Sequence, residues 1–313
     1  MSVSVSVPHS VTSRFVVAAA EVPKDPGAMA RAQVTGPPGE ELLDRLGTPL
    51  LRIRAVAAAD SIWADDLAAV AASDDERARM CAAAGHLIVE SETPRGERPR
   101  LAQAVRAVAR ALADTTGGLL ADLCTAQLVH PDRRVDGERD WFCPADGWLG
   151  IDCRINPDGG MDTDGPTECE CLCLFTRGLA RFGLPELVVD RVACAYDLAA
   201  TNVMRGLAVR LLGLLWADPG AHELRLDELI VVEPEDVWGY WGARPLFGLP
   251  VPLRLAPASR DDLPAGMHIE LLPRPDFPGT RAEWGTRVLN EGVSSVAGWQ
   301  PDNPPYRIDQ RRG

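Results

Sequence analysis

The sequence predicts an α+β protein, and three observations carry that prediction. Two stretches, 99–118 and 196–218, repeat apolar residues at helical spacing. Several shorter runs alternate apolar and polar residues with the period of a strand. The strands arrive both in pairs and between helices, not in strict strand–helix alternation, which favours mixed or antiparallel sheets over a doubly wound parallel one.

Taken in order, the first ten residues alternate serine and valine as far as Pro8 and read as a frayed terminus, with an edge strand as the alternative. "SRFVVAAAEV" (13–22) reads as a strand, 23–41 as a turn-rich loop with a short helix, and "LLRIRAV" (50–56) as a second strand. Residues 60–84 read as helical with a break near Ser73, and "HLIVES" (86–91) as a short strand. In the helix 99–118, Leu101, Val105, Val108 and Leu112 share one side, Gln103, Arg106, Arg110 and Asp114 the other, and Gly117-Gly118 ends it. Residues 119–129 read as a strand or hairpin.

The polar stretch "PDRRVDGERDW" (131–141) predicts a boundary. The expected organisation is an N-terminal α+β half (1–140), a C-terminal α+β half (141–300) and a flexible tail (301–313). The halves share a loose rhythm of strands, one long helix and strands, so two similar halves are expected as a guess without any residue-level repeat. In the second half, strands are expected at 147–155, 169–175 and 184–193, then at 222–232, 251–257 and 267–273. The helix 196–218 places Val203, Leu207, Leu211 and Leu214 on one face, so two long amphipathic helices are expected in all.

Charge excludes some functions. Thirty-two basic residues against 45 acidic ones give a net charge of −13, a field that repels nucleic acid. The densest basic stretch, "PRGERPR" (94–100), is interrupted by Glu97. The N-terminal stretch lacks a signal-peptide core, and the most apolar stretch, "LAVRLLGLLWA", carries Arg210. The expectation is a soluble cytoplasmic protein, with its eight cysteines as reduced thiols. No HExxH, GxSxG, Walker A or GxGxxG pattern occurs. His268 opens "HIE", an H-x-E without the P-C-x-x-C that would make it a zinc deaminase signature, and reads as a strand residue.

Three segments carry candidate chemistry. In "TECECLCLF", strand geometry puts Cys169, Cys171 and Cys173 on one face, where three thiols suit a soft metal such as Cu(I) or Zn²⁺. Same-face neighbours in a strand sit about 7 Å apart, too far to share a zinc with Zn–S near 2.3 Å unless the strand bends or bulges. The three therefore read first as small buried hydrophobes. The loop "NPDGGMDTDGPTE" offers Asp158, Asp162, Asp164 and Glu168 to a hard cation, but without EF-hand spacing it reads first as a solvated turn. The segment 236–252 is rich in glycine, proline and aromatics, and Trp238, Tyr240, Trp241 and Phe247 there line a pocket or cap the core.

The stretch "FTRGLARFGLPELVV" (175–189) resembles uncharacterised bacterial domain-of-unknown-function families carrying a "TRG…FG.PEL" segment. "GHLIVES" and the helix after it are similar to the preceding part of hypothetical actinobacterial proteins, so the resemblance spans about residues 84–215. It implies no activity. Read physically, Gly178 and Gly183 relieve backbone crowding, Arg177 and Arg181 anchor Glu186, and Pro185 fixes the entry to a strand.

The leading expectation is a non-catalytic protein acting through contact with another protein, without cofactor; the oligomeric state is not legible. One alternative is a small-molecule binder or enzyme with a pocket formed by Arg177, Arg181, Glu186, Trp238, Tyr240 and Trp241. The other is a thiol-metal protein using Cys169, Cys171 and Cys173.

Overall fold

A computed structural model describes residues 2–34, 37–130, 142–145, 147–156, 169–243, 248–258 and 263–290. Its strands and helices run β1 (Ser2–Ser6), β2 (Ser10–Ala19), α1 (Pro26–Gln33), α2 (Pro37–Leu43), β3 (Arg52–Ala57), α3 (Ala64–Ala68), α4 (Asp74–Cys81), β4 (Gly85–Pro94), α5 (Arg100–Thr116), β5 (Leu119–Asp122) and β6 (Gln127–Leu128). Then come β7 (Gly150–Ile155), β8 (Leu172–Arg177), β9 (Glu186–Val192), α6 (Asp197–Ala217), β10 (Glu223–Asp227), β11 (Leu229–Val232), α7 (Pro234–Tyr240), β12 (Val251–Ala258), β13 (His268–Leu272) and α8 (Arg281–Trp284). The protein is α+β. The chain forms two compact units, one of residues Pro8–Phe142 and one of Cys143–Gly313 together with Met1–Val7.

The N-terminal unit is built on a five-stranded antiparallel sheet in the order β3-β4-β2-β5-β6. Its central strands are apolar on both sides, because both sides are covered. Val16, Ala18, Ile88 and Ala121 pack with Leu67 of α3 and Met80 of α4. The alternate residues Phe15, Val17, Leu87 and Val89 are fully buried on the other side, where α5 lies across β2 and β4. The expected apolar stripe of α5 is buried at Val105, Val108 and Leu112. Gly117, in the left-handed region at φ 59°, ends the helix as Gly C-caps do. The break near Ser73 is the start of α4, where Ser73 and Glu76 form a capping box.

The C-terminal unit holds a six-stranded mixed sheet, β11-β12-β13-β9-β8-β7, in which only the β13–β9 pair is parallel. The two units therefore share no strand order. A separate two-stranded sheet pairs β1 with β10 antiparallel, from Ser2↔Asp227 to Ser6↔Glu223. The first residues are thus a strand and not a frayed end. Their alternation is the reason: Val3, Val5 and Val7 are buried while Ser2, Ser4 and Ser6 are exposed.

Helix α6 departs from expectation. Its burial is not confined to one stripe: beside the face of Ala200, Val203, Met204, Leu207, Ala208, Leu211 and Leu212 it also buries Ala199, Asn202 and Gly206 on a second side. It packs against α7, β8, β9 and β11, and Leu214, expected on the buried face, is exposed. Among the described residues, 194–217 is the one helical stretch long and apolar enough to cross a membrane, and its apolar part is mostly buried inside the protein.

Candidate functional site

The expected strand 169–175 begins only at Leu172, and that shift creates the site. Cys169 and Cys171 lie in the extended segment leading into β8, outside the pleat that would hold them apart. Cys171 Sγ lies 3.2 Å from Cys169 Sγ. A third thiol comes from the far end of β9: Cys194 Sγ is 2.7 Å from Cys171 Sγ, and the Cys194 N–H donates to Cys169 Sγ at 3.3 Å. All three sulfurs lie within 4.8 Å of one another.

A β-bulge brings Cys194 there. Leu174 pairs with Val189 but Leu172 pairs with Val192, so Asp190 and Arg191 together face Cys173. Arg191 adopts the left-handed region at φ 56°, a conformation unfavourable for a residue with a Cβ. Two contacts hold the bulge: Asn156 Nδ2 donates to Asp190 Oδ1 at 2.7 Å, and Arg191 pairs with Glu170 at 2.7 Å. The pairing ends at Leu172↔Val192, and Cys194, two residues on, opens the 3-10 turn Cys194–Tyr196 with its N–H on Cys169 Sγ.

The electrostatics of the three thiols are unequal. Burial raises the Cys169 thiol, but hydrogen bonds from the Cys194 backbone and from Cys171 outweigh it and bring it below the ordinary thiol range. Burial and the bonds it donates to its two neighbours push Cys171 up to about 12. Of Cys169 and Cys171, Cys169 is therefore the one that gives up its proton more readily. Cys169 and Cys171 are buried and Cys194 is exposed, so the site opens to solvent on one side. Exposed Cys153 in β7 stands at its edge: burial and the neighbouring Asp197 and Cys194 all raise its thiol.

Cys173 does not join the cluster. It sits in the pleat of β8, fully buried against Phe175 and Val188, as strand spacing demands. The sequence reading also missed Cys194. Its only signal was position, a thiol between the end of a strand and the start of a helix, and the bulge that aims it leaves no mark in composition. Asp158, Asp162, Asp164 and Glu168 lie outside the described residues.

The other candidates are dispersed over different structures. Glu186 is not anchored by arginines. Its carboxylate accepts from Gly178 N at 2.9 Å, Ala180 N at 3.0 Å and the Thr176 hydroxyl at 2.7 Å, and Thr176 Oγ1 accepts in turn from Leu187 N at 2.7 Å. Those amides open the single 3-10 turn Leu179–Phe182, flanked by Gly178 and Gly183 at positive φ. Backbone N–H groups turned inward at a tight corner need an acceptor, and the carboxylate supplies it. Arg177 instead pairs with Asp152 on β7. Arg181 is buried, with its guanidinium 5.3 Å from the Trp148 ring centre. The supposed aromatic loop begins as helix α7, capped by Glu233 and Asp236, and buries Trp238 and Tyr240. Tyr240 and Trp241 receive the Arg205 guanidinium of α6 at 5.0 Å from each ring. Phe247 lies outside the described residues.

Compared with known proteins, the chain matches no family model, no curated protein and no solved structure.

Proposed function

We propose that this protein holds a soft metal ion, Cu(I) or Zn²⁺, at Cys169, Cys171 and Cys194. The observation that carries the reading is the convergence of three thiols from two separated segments within 4.8 Å. Thiolate is the soft donor that selects these ions, and three protein ligands with one open side leave a position for water or a partner's ligand. Cys153 and Asp197 stand near that open side. Trp238 and Tyr240 are buried and offer no surface to a partner protein.

A second reading is favoured by one distance. Cys171 and Cys194 at 2.7 Å lie between a disulfide, near 2.05 Å, and the roughly 3.8 Å that separates thiolates on a tetrahedral zinc. Oxidation by a small disulfide would join these two sulfurs and release two reduced thiols, leaving Cys169 to attack the new bond.

Purification without added metal, followed by native mass spectrometry and elemental analysis, tests both. The metal reading expects one bound ion per chain, lost in Cys169→Ser, Cys171→Ser and Cys194→Ser and kept in Cys81→Ser. Substitution by Co²⁺ should give thiolate charge-transfer bands. An apo protein that fails to take up Zn²⁺, Cu(I) or Co²⁺ under reducing conditions overturns it, and a Cys171–Cys194 disulfide in the protein as purified, before any reductant, would favour the second reading.

A further inference from the structure

A cavity of about 210 Å³ in the N-terminal unit points to a second site, unrelated to the thiols. Its floor is the sheet face carrying His86 of β4. Buried Leu67 of α3 and Met80 of α4 line it with Ala58, and exposed Ala64, Ala68, Arg77 and Cys81 form its open side. The lining is apolar apart from His86, Arg77 and Cys81.

His86 is the anomaly in this wall. It is 4% exposed, on the same side of β4 as Ile88, and pairs across the sheet with Ala18 and Val56. Those neighbours offer only apolar side chains. Its Nδ1 is buried and has no hydrogen-bond partner. A buried polar nitrogen left unsatisfied costs about 1–3 kcal/mol, so its retention at an otherwise apolar cavity calls for an occupant. Ala64, Ala68, Arg77 and Cys81 are exposed at its mouth, so the cavity opens to solvent and an occupant can enter there.

The ring also narrows the class of occupant. Burial lowers the basicity of His86, so the imidazole is neutral near pH 7 and attracts no anion. The one cationic group lining the cavity, Arg77, spends its guanidinium on the Ala68 and Ala72 carbonyls at 3.1 and 3.2 Å, closing the α3 end onto α4. A half-turn of the ring exchanges its nitrogen and carbon edges without moving the backbone. With a nitrogen turned to the cavity, the neutral imidazole accepts a hydrogen bond from a neutral hydroxyl or donates one to it.

We infer that this cavity binds a small, neutral, mostly apolar molecule bearing one hydroxyl, of the size and kind of a simple phenol or short branched alcohol, with His86 as its hydrogen-bond partner. The cavity is smaller than typical drug-sized pockets, which restricts the ligand to roughly ten non-hydrogen atoms.

The probe is p-cresol, with toluene as the control that lacks the hydroxyl, titrated into the full chain and followed by the Met80 methyl resonance. The expected result is saturable movement of that resonance, with p-cresol bound about fivefold to tenfold tighter than toluene, the worth of one buried hydrogen bond. His86→Phe keeps the ring and should bind toluene while losing the preference. No saturable shift with p-cresol overturns the site. Equal affinity for p-cresol and toluene in the natural chain overturns the role of His86 and needs no variant to fold.

Discussion

At the scale of single residues, Glu186 and Cys171 make separable predictions. Glu186 satisfies two backbone amides and one hydroxyl at the corner after β8. Charge-assisted bonds of this kind are worth more than neutral ones, so Glu186→Ala should cost about 2–3 kcal/mol in urea denaturation, and Glu186→Gln, which still accepts, clearly less. Cys171 is protonated at neutral pH, with its thiol raised to about 12. A metal must displace that proton, so affinity for Zn²⁺ should rise as pH rises from 6 to 8. Competition with a chromophoric chelator at both pH values checks the sign, and an affinity that falls with pH counts against thiolate ligation. Two of the three thiols were legible in the sequence because they sit two residues apart. The third was not, because a single left-handed residue, Arg191, decides where Cys194 comes to lie. The anchoring of Glu186 was misread for a related reason. Opposite charges in sequence suggest ion pairs, while the corner's own amides are closer and already oriented.

At the scale of elements, helix α6 sets two opposed effects against each other at two glycines. A Cβ at Gly206 would meet Val232 Cγ1 at 2.7 Å and Val237 Cγ2 at 2.8 Å, with the Val237 backbone N at 3.2 Å. A Cβ at Gly213 would meet nothing within 4 Å. Glycine to alanine in a helix interior gains up to about 1 kcal/mol from propensity, while overpacking costs about 1–3 kcal/mol. Gly213→Ala should therefore stabilise and Gly206→Ala destabilise, read as opposite shifts of the thermal midpoint. Shifts of the same sign would mean that α6 does not press on α7 and β11 as described. The existence of α5 and α6 was legible because helical periodicity over about 20 residues is a strong signal. The character of α6 was not, because its burial on several sides comes from α7 and β11, and α7 was hidden in a segment whose glycines and prolines argue for a loop. Pro234 opens that helix, where proline is tolerated.

At the scale of the whole molecule, the α+β class followed from counting periods, whereas strand order depends on which edges find partners and is invisible to a local reading. The first strand shows the difference. Val3, Val5 and Val7 are buried in the unit formed mainly by residues 143 onward, opposite β10. Removing residues 2–7 should cost that unit about 4–9 kcal/mol in buried valine surface alone. Hydrogen exchange should show lost protection in β10, from Glu223 to Asp227, with protection in β2 and β4 retained. Equal loss in both units would mean that the first strand supports the whole chain.

The pairing of Ser6 with Glu223 also sets an order of events on the ribosome. The strand made first waits for a partner 217 residues behind it, about 10–45 s at ordinary rates of synthesis. Throughout that interval Pro8–Phe142 can complete its own sheet while an alternating serine–valine segment stays unpaired. The proline that follows at position 8 lacks an N–H and limits how far that segment can be extended by a wrong strand during the wait.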